Sequence, residues 1–109
     1  MASFFRNKVA KDIGLTPVVV LTTAANTRMT IIGMSLTNLT DGIVLINIEL
    51  TNDASITGYY AKNVLVPPNS SLRVVNGGEK LILATSNSLR ITSNVTASID
   101  AIISYVELI

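Results

Sequence analysis

Seven carboxylates are the first candidates for acid–base chemistry in this chain: Asp12, Asp41, Glu49, Asp53, Glu79, Asp100 and Glu107. The sequence contains no histidine and no cysteine, so the commonest general base, the commonest metal ligand and every thiol are missing. A glycosidase-type centre needs two carboxylates converging across a cleft. Here Asp41 falls in an expected turn, Glu79 follows another, and Glu49 alternates onto a solvent face, so the acids read as solubilising groups. "TNDAS" (51–55) offers a single acid where a calcium loop needs several oxygen ligands at regular spacing, and it reads as a strand-ending turn. Lys80 after "NGG" is followed by Leu81, and no helix is expected there, so the glycines do not form a phosphate loop. A serine nucleophile would need a lysine base. The many Ser and Thr residues are better explained as strand formers. No catalysis, cofactor or metal is expected.

Binding chemistry is the better prospect. Phe4 and Phe5 are the only phenylalanines, and Arg6, Lys8 and Lys11 supply three of the eight basic groups within the first dozen residues. One reading is an N-terminal arm over residues 1–15 that docks on a neighbour, with rings as anchors and basic groups on acidic rims. The plainer reading has the rings capping the domain's own core and the charges solvated. Tyr59 and Tyr60 are adjacent strand residues and face opposite sides, one toward the core and one exposed, where a ring suits an interface or a sugar. The triplets beginning at Asn38, Asn69 and Asn94 match the N-glycosylation pattern. In a chain this rich in Asn, Ser and Thr they read as turns.

The elements that must position these side chains are strands. Short runs rich in Val, Ile and Thr, broken by turn residues, indicate an all-β fold. Val44, Ile46, Ile48 and Leu50 alternate with Leu45, Asn47, Glu49 and Thr51, placing one set on a core face. Ile32, Met34 and Leu36 alternate similarly, and Asp41-Gly42 between the two runs predicts a hairpin. Pro67-Pro68 ends a strand. Leu72–Val75 and Lys80–Ala84 are expected to form a second hairpin around Asn76-Gly77-Gly78, and "TSNS" (85–88) a further turn before Leu89–Thr92. The last run, Ala97–Leu108, is apolar on both faces: Ile99, Ala101, Ile103 and Tyr105 on one, Ile102, Val106 and Leu108 on the other. A strand of that kind is central in a sandwich or packed against another subunit. About eight strands result, near 4–16, 17–23, 27–38, 43–53, 55–66, 71–76, 79–92 and 96–108. They predict a two-sheet antiparallel β-sandwich over residues 16–109, jelly-roll or immunoglobulin-like, with an up-and-down barrel as the alternative.

The totals agree with a surface built for contact. Hydrophobic residues make up 49% of the 109 and charged residues 14%, against about 25% charged in ordinary soluble domains. Part of so uncharged a surface is expected to be covered by partner subunits. A net charge of +1 provides no field for nucleic acid or an anionic membrane. The apolar run Val18–Leu21 is too short for a signal peptide, and no run approaches the ~20 residues of a membrane helix. Synthesis in a cytoplasm is expected.

The stretches "TTAANTRMTIIGMSLTNLTDGIVLINIEL" (22–50), "VLVPPNSSLRVVNGGEKLILATSNSLRITSN" (64–94) and "ASIDAIISYVEL" (97–108) together resemble small β-sandwich virion proteins of tailed bacteriophages. The shared features are the Pro67-Pro68 bend, the Gly78-Glu79-Lys80-Leu81 turn, the Ser88-Leu89-Arg90-Ile91 strand and the last strand. The resemblance covers about residues 22–108. It implies a structural role in the virion, as a capsid decoration or cement protein or a neck or tail component. It also implies homo-oligomers, often trimers, that contact other virion structural proteins, and it brings no catalytic residues. An alternative function for such a domain is a carbohydrate- or host-surface-binding module. Residues 1–15 lie outside the resemblance, so the docking role of Phe4, Phe5, Arg6, Lys8 and Lys11 rests on their chemistry alone.

Overall fold

The computed structural model describes residues 2–75 and 80–109. Nine strands are present: β1 (Ser3–Ile13), β2 (Val18–Thr22), β3 (Arg28–Asn38), β4 (Val44–Thr51), β5 (Thr57–Val66), β6 (Ser71–Val75), β7 (Leu81–Leu83), β8 (Ser88–Ser93) and β9 (Ile99–Leu108). The first sheet runs β1-β9-β3-β6, with β7 also paired to β3, and the second runs β2-β8-β4-β5. All pairings are antiparallel. The two-sheet sandwich expected from the alternation is therefore present.

The pairings are nested. β4 pairs with β5, β3 with β6 and β7, β2 with β8, and β1 with β9. This is one long hairpin with its tip at residues 52–56, rolled up so that β9 closes on β3 and β8 closes on β4. Such a rolled hairpin is a jelly roll. The immunoglobulin-like and barrel alternatives do not match this order.

Two expected hairpins are not hairpins. β3 and β4 lie in different sheets, so residues 39–43 cross the sandwich. Neither Asp41 nor Gly42 has the positive φ that a two-residue turn demands. Asn38 organises the crossing instead. Its amide donates to Gly42 O at 2.8 Å and Val66 O at 3.1 Å, and its Oδ1 accepts from Thr40 N and Thr40 Oγ1 at 2.9 and 2.8 Å. The Asn76-Gly77-Gly78 turn lies outside the described residues. Its flanking strands β6 and β7 pair with β3 in line, not with each other. They are two halves of one edge strand, which brings the count to the eight of a jelly roll. The span expected over 79–92 divides into β7 and β8, in opposite sheets. The hairpin at the tip is β4–β5. Asn52 Oδ1 accepts from Ala54 N and Ile56 N there, both at 3.0 Å.

The core lies between the sheets. Val44, Ile46 and Ile48 of β4 and Ile99, Ala101 and Ile103 of β9, all fully buried, belong to one core cluster. Ile32 departs from its expected face. The register steps from Ile31↔Tyr105 to Gly33↔Ser104, so Ile32 is an extra residue. Such a β-bulge switches the alternation: Met29 and Ile31 point inward before it, Met34 and Leu36 after it, and Ile32 is exposed.

Three substitutions separate these causes. Asn38→Ala removes the side-chain donor to the buried Val66 carbonyl and should cost about 1–3 kcal/mol. Gly14→Ala would set a Cβ 2.8 Å from Ala97 N and should cost about 1–3 kcal/mol. Gly58→Ala meets nothing within 4 Å and should be neutral or stabilising by up to about 1 kcal/mol. Urea midpoints at constant m-value measure all three.

Candidate functional site

β1 carries most of the residues singled out in the sequence. It lies on the edge of the first sheet, paired with β9 from Ser3↔Leu108 to Ala10↔Ala101. Ala10 and Ile13 are buried, while Ser3 to Val9 are exposed on both faces. Phe4 and Phe5 therefore do not cap the core, and Phe5 is 86% exposed. Arg6 sits 5.0 Å over the Phe4 ring and pairs with Glu107 at 2.8 Å. Lys11 pairs with Asp100 at 3.6 Å. Lys8 is exposed opposite Ile103. Asp12 has φ 55° and its N–H donates to Asp100 Oδ1 at 3.0 Å, which makes the bulge that ends the regular part of the strand.

The edges differ in what they offer a neighbour. β2 has a register shift, β5 has two, and β6 and β7 form an interrupted edge. These devices blunt an edge. β1 is regular from Ser3 to Ala10. Its backbone is open to an added strand, and its basic side chains suit an acidic one.

Tyr59 and Tyr60 lie on β5, on the other sheet. Tyr59 pairs with Glu49 on the outer face and is half-exposed, with Lys62 Nζ 5.0 Å from its ring centre. Tyr60 is the extra residue between Ile48↔Ala61 and Glu49↔Tyr59 and packs against the core. Together with Leu50, Asn52, Ile56, Gly58 and Leu81 the two rings line an open, mostly apolar groove. The structure does not bring these tyrosines and the β1 residues into one site.

The carboxylates are dispersed. Glu49 pairs with Arg90 at 2.9 Å, and Asp41 Oδ1 accepts from Asn69 Nδ2 at 2.9 Å. Asp53 lies in the tip turn. Among the described residues no three acidic side chains converge as a metal site would need.

The outer face of the first sheet was only partly anticipated. Ile102 and Val106 were legible as the second apolar face of the last strand. Phe5 and Val9 stand beside them on β1, Ile82 on β7, and Ile32 at the bulge. Val9 and Ile82 carried no periodic signal of their own. Only the register puts them on this face.

Comparisons with known proteins bear on the fold. No protein-family profile matches the chain, and no curated protein matches it. A chain of the infectious bursal disease virus T13 particle shares the fold at TM-score 0.51 and 13% identity, over 98% of this chain and 39% of that one. A chain of the Gt strain of the same virus aligns at TM-score 0.49 and 10% identity, over 97% of this chain and 32% of that one. This chain thus spans well under half the length of those it resembles, and the likeness is one of fold.

The Arg6–Glu107 pair is solvent-exposed on the arginine side, so it should contribute little to folding. A double-mutant cycle of Arg6→Ala and Glu107→Ala should give a coupling of at most about 1 kcal/mol in thermal unfolding.

Proposed function

We propose that this chain is a non-enzymatic virion structural protein that self-associates and binds other coat or tail subunits. One observation carries the reading: the nested jelly-roll order, shared along nearly the whole chain with a subunit chain of a viral particle. Jelly rolls serve in viral capsids and also in lectins, and a fold does not by itself give a function. Chemistry narrows the choice. The carboxylates are dispersed or engaged in ion pairs, whereas large apolar side chains are exposed on both sheets, among them Phe5, Ile82, Ile102 and Tyr59.

The finer assignment follows the sequence resemblance to tailed-bacteriophage proteins: capsid decoration or cement, or a neck or tail component, as a trimer. The viral neighbour comes from infectious bursal disease virus, so its likeness supports the coarse role. β1 is the segment suited to docking on a heterologous subunit. It offers an open regular edge, Phe5 as an anchor, and Lys8 for an acidic rim. Residues 1–15 would thus act as a docking segment laid along the sandwich.

The groove beside Tyr59 and Tyr60 favours a second reading, a carbohydrate- or host-surface-binding module. Asn52 at its rim and the exposed Tyr59 ring are the contacts a sugar would use. Glycan-array binding that Tyr59→Ala abolishes would favour this reading, and an array without hits would count against it.

Native mass spectrometry of the full chain should show three copies. Incubation with isolated particles should show saturable binding, which Phe5→Ala with Lys8→Glu weakens at least tenfold. A strict monomer that no particle retains would end the virion reading.

A further inference from the structure

The first sheet has one edge whose backbone is free along a regular strand. Ala2 and Ile109 exchange both of their backbone hydrogen bonds, at 3.0 and 2.9 Å. The register then runs unbroken from Ser3↔Leu108 to Ala10↔Ala101. In an antiparallel pair, residues that bond the partner strand alternate with residues that face away from it. Phe4, Arg6, Lys8 and Ala10 therefore bond β9. Ser3, Phe5, Asn7 and Val9 turn both N–H and C=O away from the sheet. No strand lies beyond them among the described residues, and Ser3 to Val9 are exposed. The free stretch is about 24 Å long at ordinary strand rise.

The side chains along this edge differ between its two faces. Phe5, Asn7 and Val9 stand beside Val106, Ser104 and Ile102 on the outer face. Phe4, Arg6 and Lys8 stand beside Glu107, Tyr105 and Ile103 on the other. Arg6 gives only its Nε to Glu107, and Lys8 has no ion-pair partner among the described residues. We infer that β1 takes up an extended segment of another protein as an added strand. That segment reads apolar–acid–polar–acid–apolar opposite Val9, Lys8, Asn7, Arg6 and Phe5. Side chains directly opposite share a face, so its acids meet the two bases while its apolar residues cover Phe5 and Val9. This rests on the docking role proposed above and names the chemistry of the partner segment.

No edge of a second copy supplies the two acids. β2 and β7 carry no charge, β5 carries Lys62 alone and β6 carries Arg73 alone. A second β1 would set bases against Arg6 and Lys8, which is unfavourable, and its one acid, Asp12, sits in the bulge. Glu49, Asp100 and Glu107 lie on β4 and β9, which have neighbours on both edges. The occupant is therefore a strand of a different chain.

Titration of the full chain with capped nine-residue peptides, followed by NMR, tests this. The peptide TTIETEITT should bind saturably with a Kd of about 100 µM or tighter. Its lysine analogue TTIKTKITT should bind about tenfold or more weakly. Bound peptide should slow amide exchange about tenfold or more at Phe5, Asn7 and Val9, and less at Arg6 and Lys8. Asn7→Pro removes an outward N–H without breaking a bond to β9, so it should fold and lose about tenfold or more in affinity. Lys8→Glu should abolish the preference for the acidic peptide. Urea midpoints establish that each variant folds. Should Asn7→Pro not fold, the exchange pattern of the wild type decides. A wild type that binds neither peptide or both equally would overturn the inference. So would unchanged exchange at Phe5, Asn7 and Val9, or a folded Asn7→Pro that binds like the wild type. Particles that retain folded Asn7→Pro as well as the wild type would sink this edge and leave the virion role standing. Peptide binding with this pattern in a chain that no particle retains would do the reverse.

Discussion

The closure of β9 on β3 is the interaction on which the rest of the structure depends. Without it the nested pairings would leave one long two-stranded ribbon, and a ribbon of two strands is marginal in water. The closure runs from Arg28↔Leu108 to Asn38↔Ile99. It makes β9 central, with β1 on its other edge. Both of its edges are then hydrogen-bonded and its inner side chains Ile99, Ala101 and Ile103 are fully buried. The pairing joins residues some seventy apart in sequence, so its loop-closure cost falls early and its reward late. Burial of its inner face in the common core offsets that cost. β4 is itself fixed by an equivalent closure on β8.

Polar side chains fix where the ribbon turns over. Asn38 ties the β3–β4 crossing to the end of β5 through Val66 O. At the opposite end of the sandwich Thr23 Oγ1 donates to Ala84 O and accepts from Asn87 N. Ser93 and Ser98 share a 2.8 Å hydroxyl contact beneath the β8–β9 connection. Each is buried, and each spends its hydrogen-bonding capacity on backbone groups that a crossing leaves without ladder partners. These four residues thus have structural roles at the crossings that a nucleophile or glycosylation reading would otherwise claim. Asn38 in particular is committed on both its amide nitrogen and its oxygen.

Alternation was legible where strands are regular and failed where they are not. β4 shows Val44, Ile46 and Ile48 inside as its pattern requires. In β3 the same logic puts Ile32 on the wrong side, because one bulged residue reverses the pattern and leaves no mark in composition. Asp41-Gly42 misleads for a different reason. A turn signal says where the chain reverses but not whether the next strand pairs beside the last or across the sandwich, and alternation is identical in both cases. The interaction surface shows the same limit. Phe4, Phe5 and the basic cluster stand out by type, and the second apolar face of the last strand by period. Val9 and Ile82 belong to that face only through pairings with residues distant in sequence.

The surface separates two problems that a small sandwich must solve at once. Open edges invite any strand, and this chain blunts three of them, by bulges at β2 and β5 and by interruption at β6 and β7, leaving β1 as the regular edge. Three of its seven acids neutralise its own bases, in Glu49–Arg90, Glu107–Arg6 and Asp100–Lys11. A face recognises by shape and apolar area, which is selective and saturable, whereas an edge recognises by backbone, which is common to every strand. A chain with 14% charged residues has little repulsion to keep copies apart. Blunting the other edges therefore confines strand addition to β1.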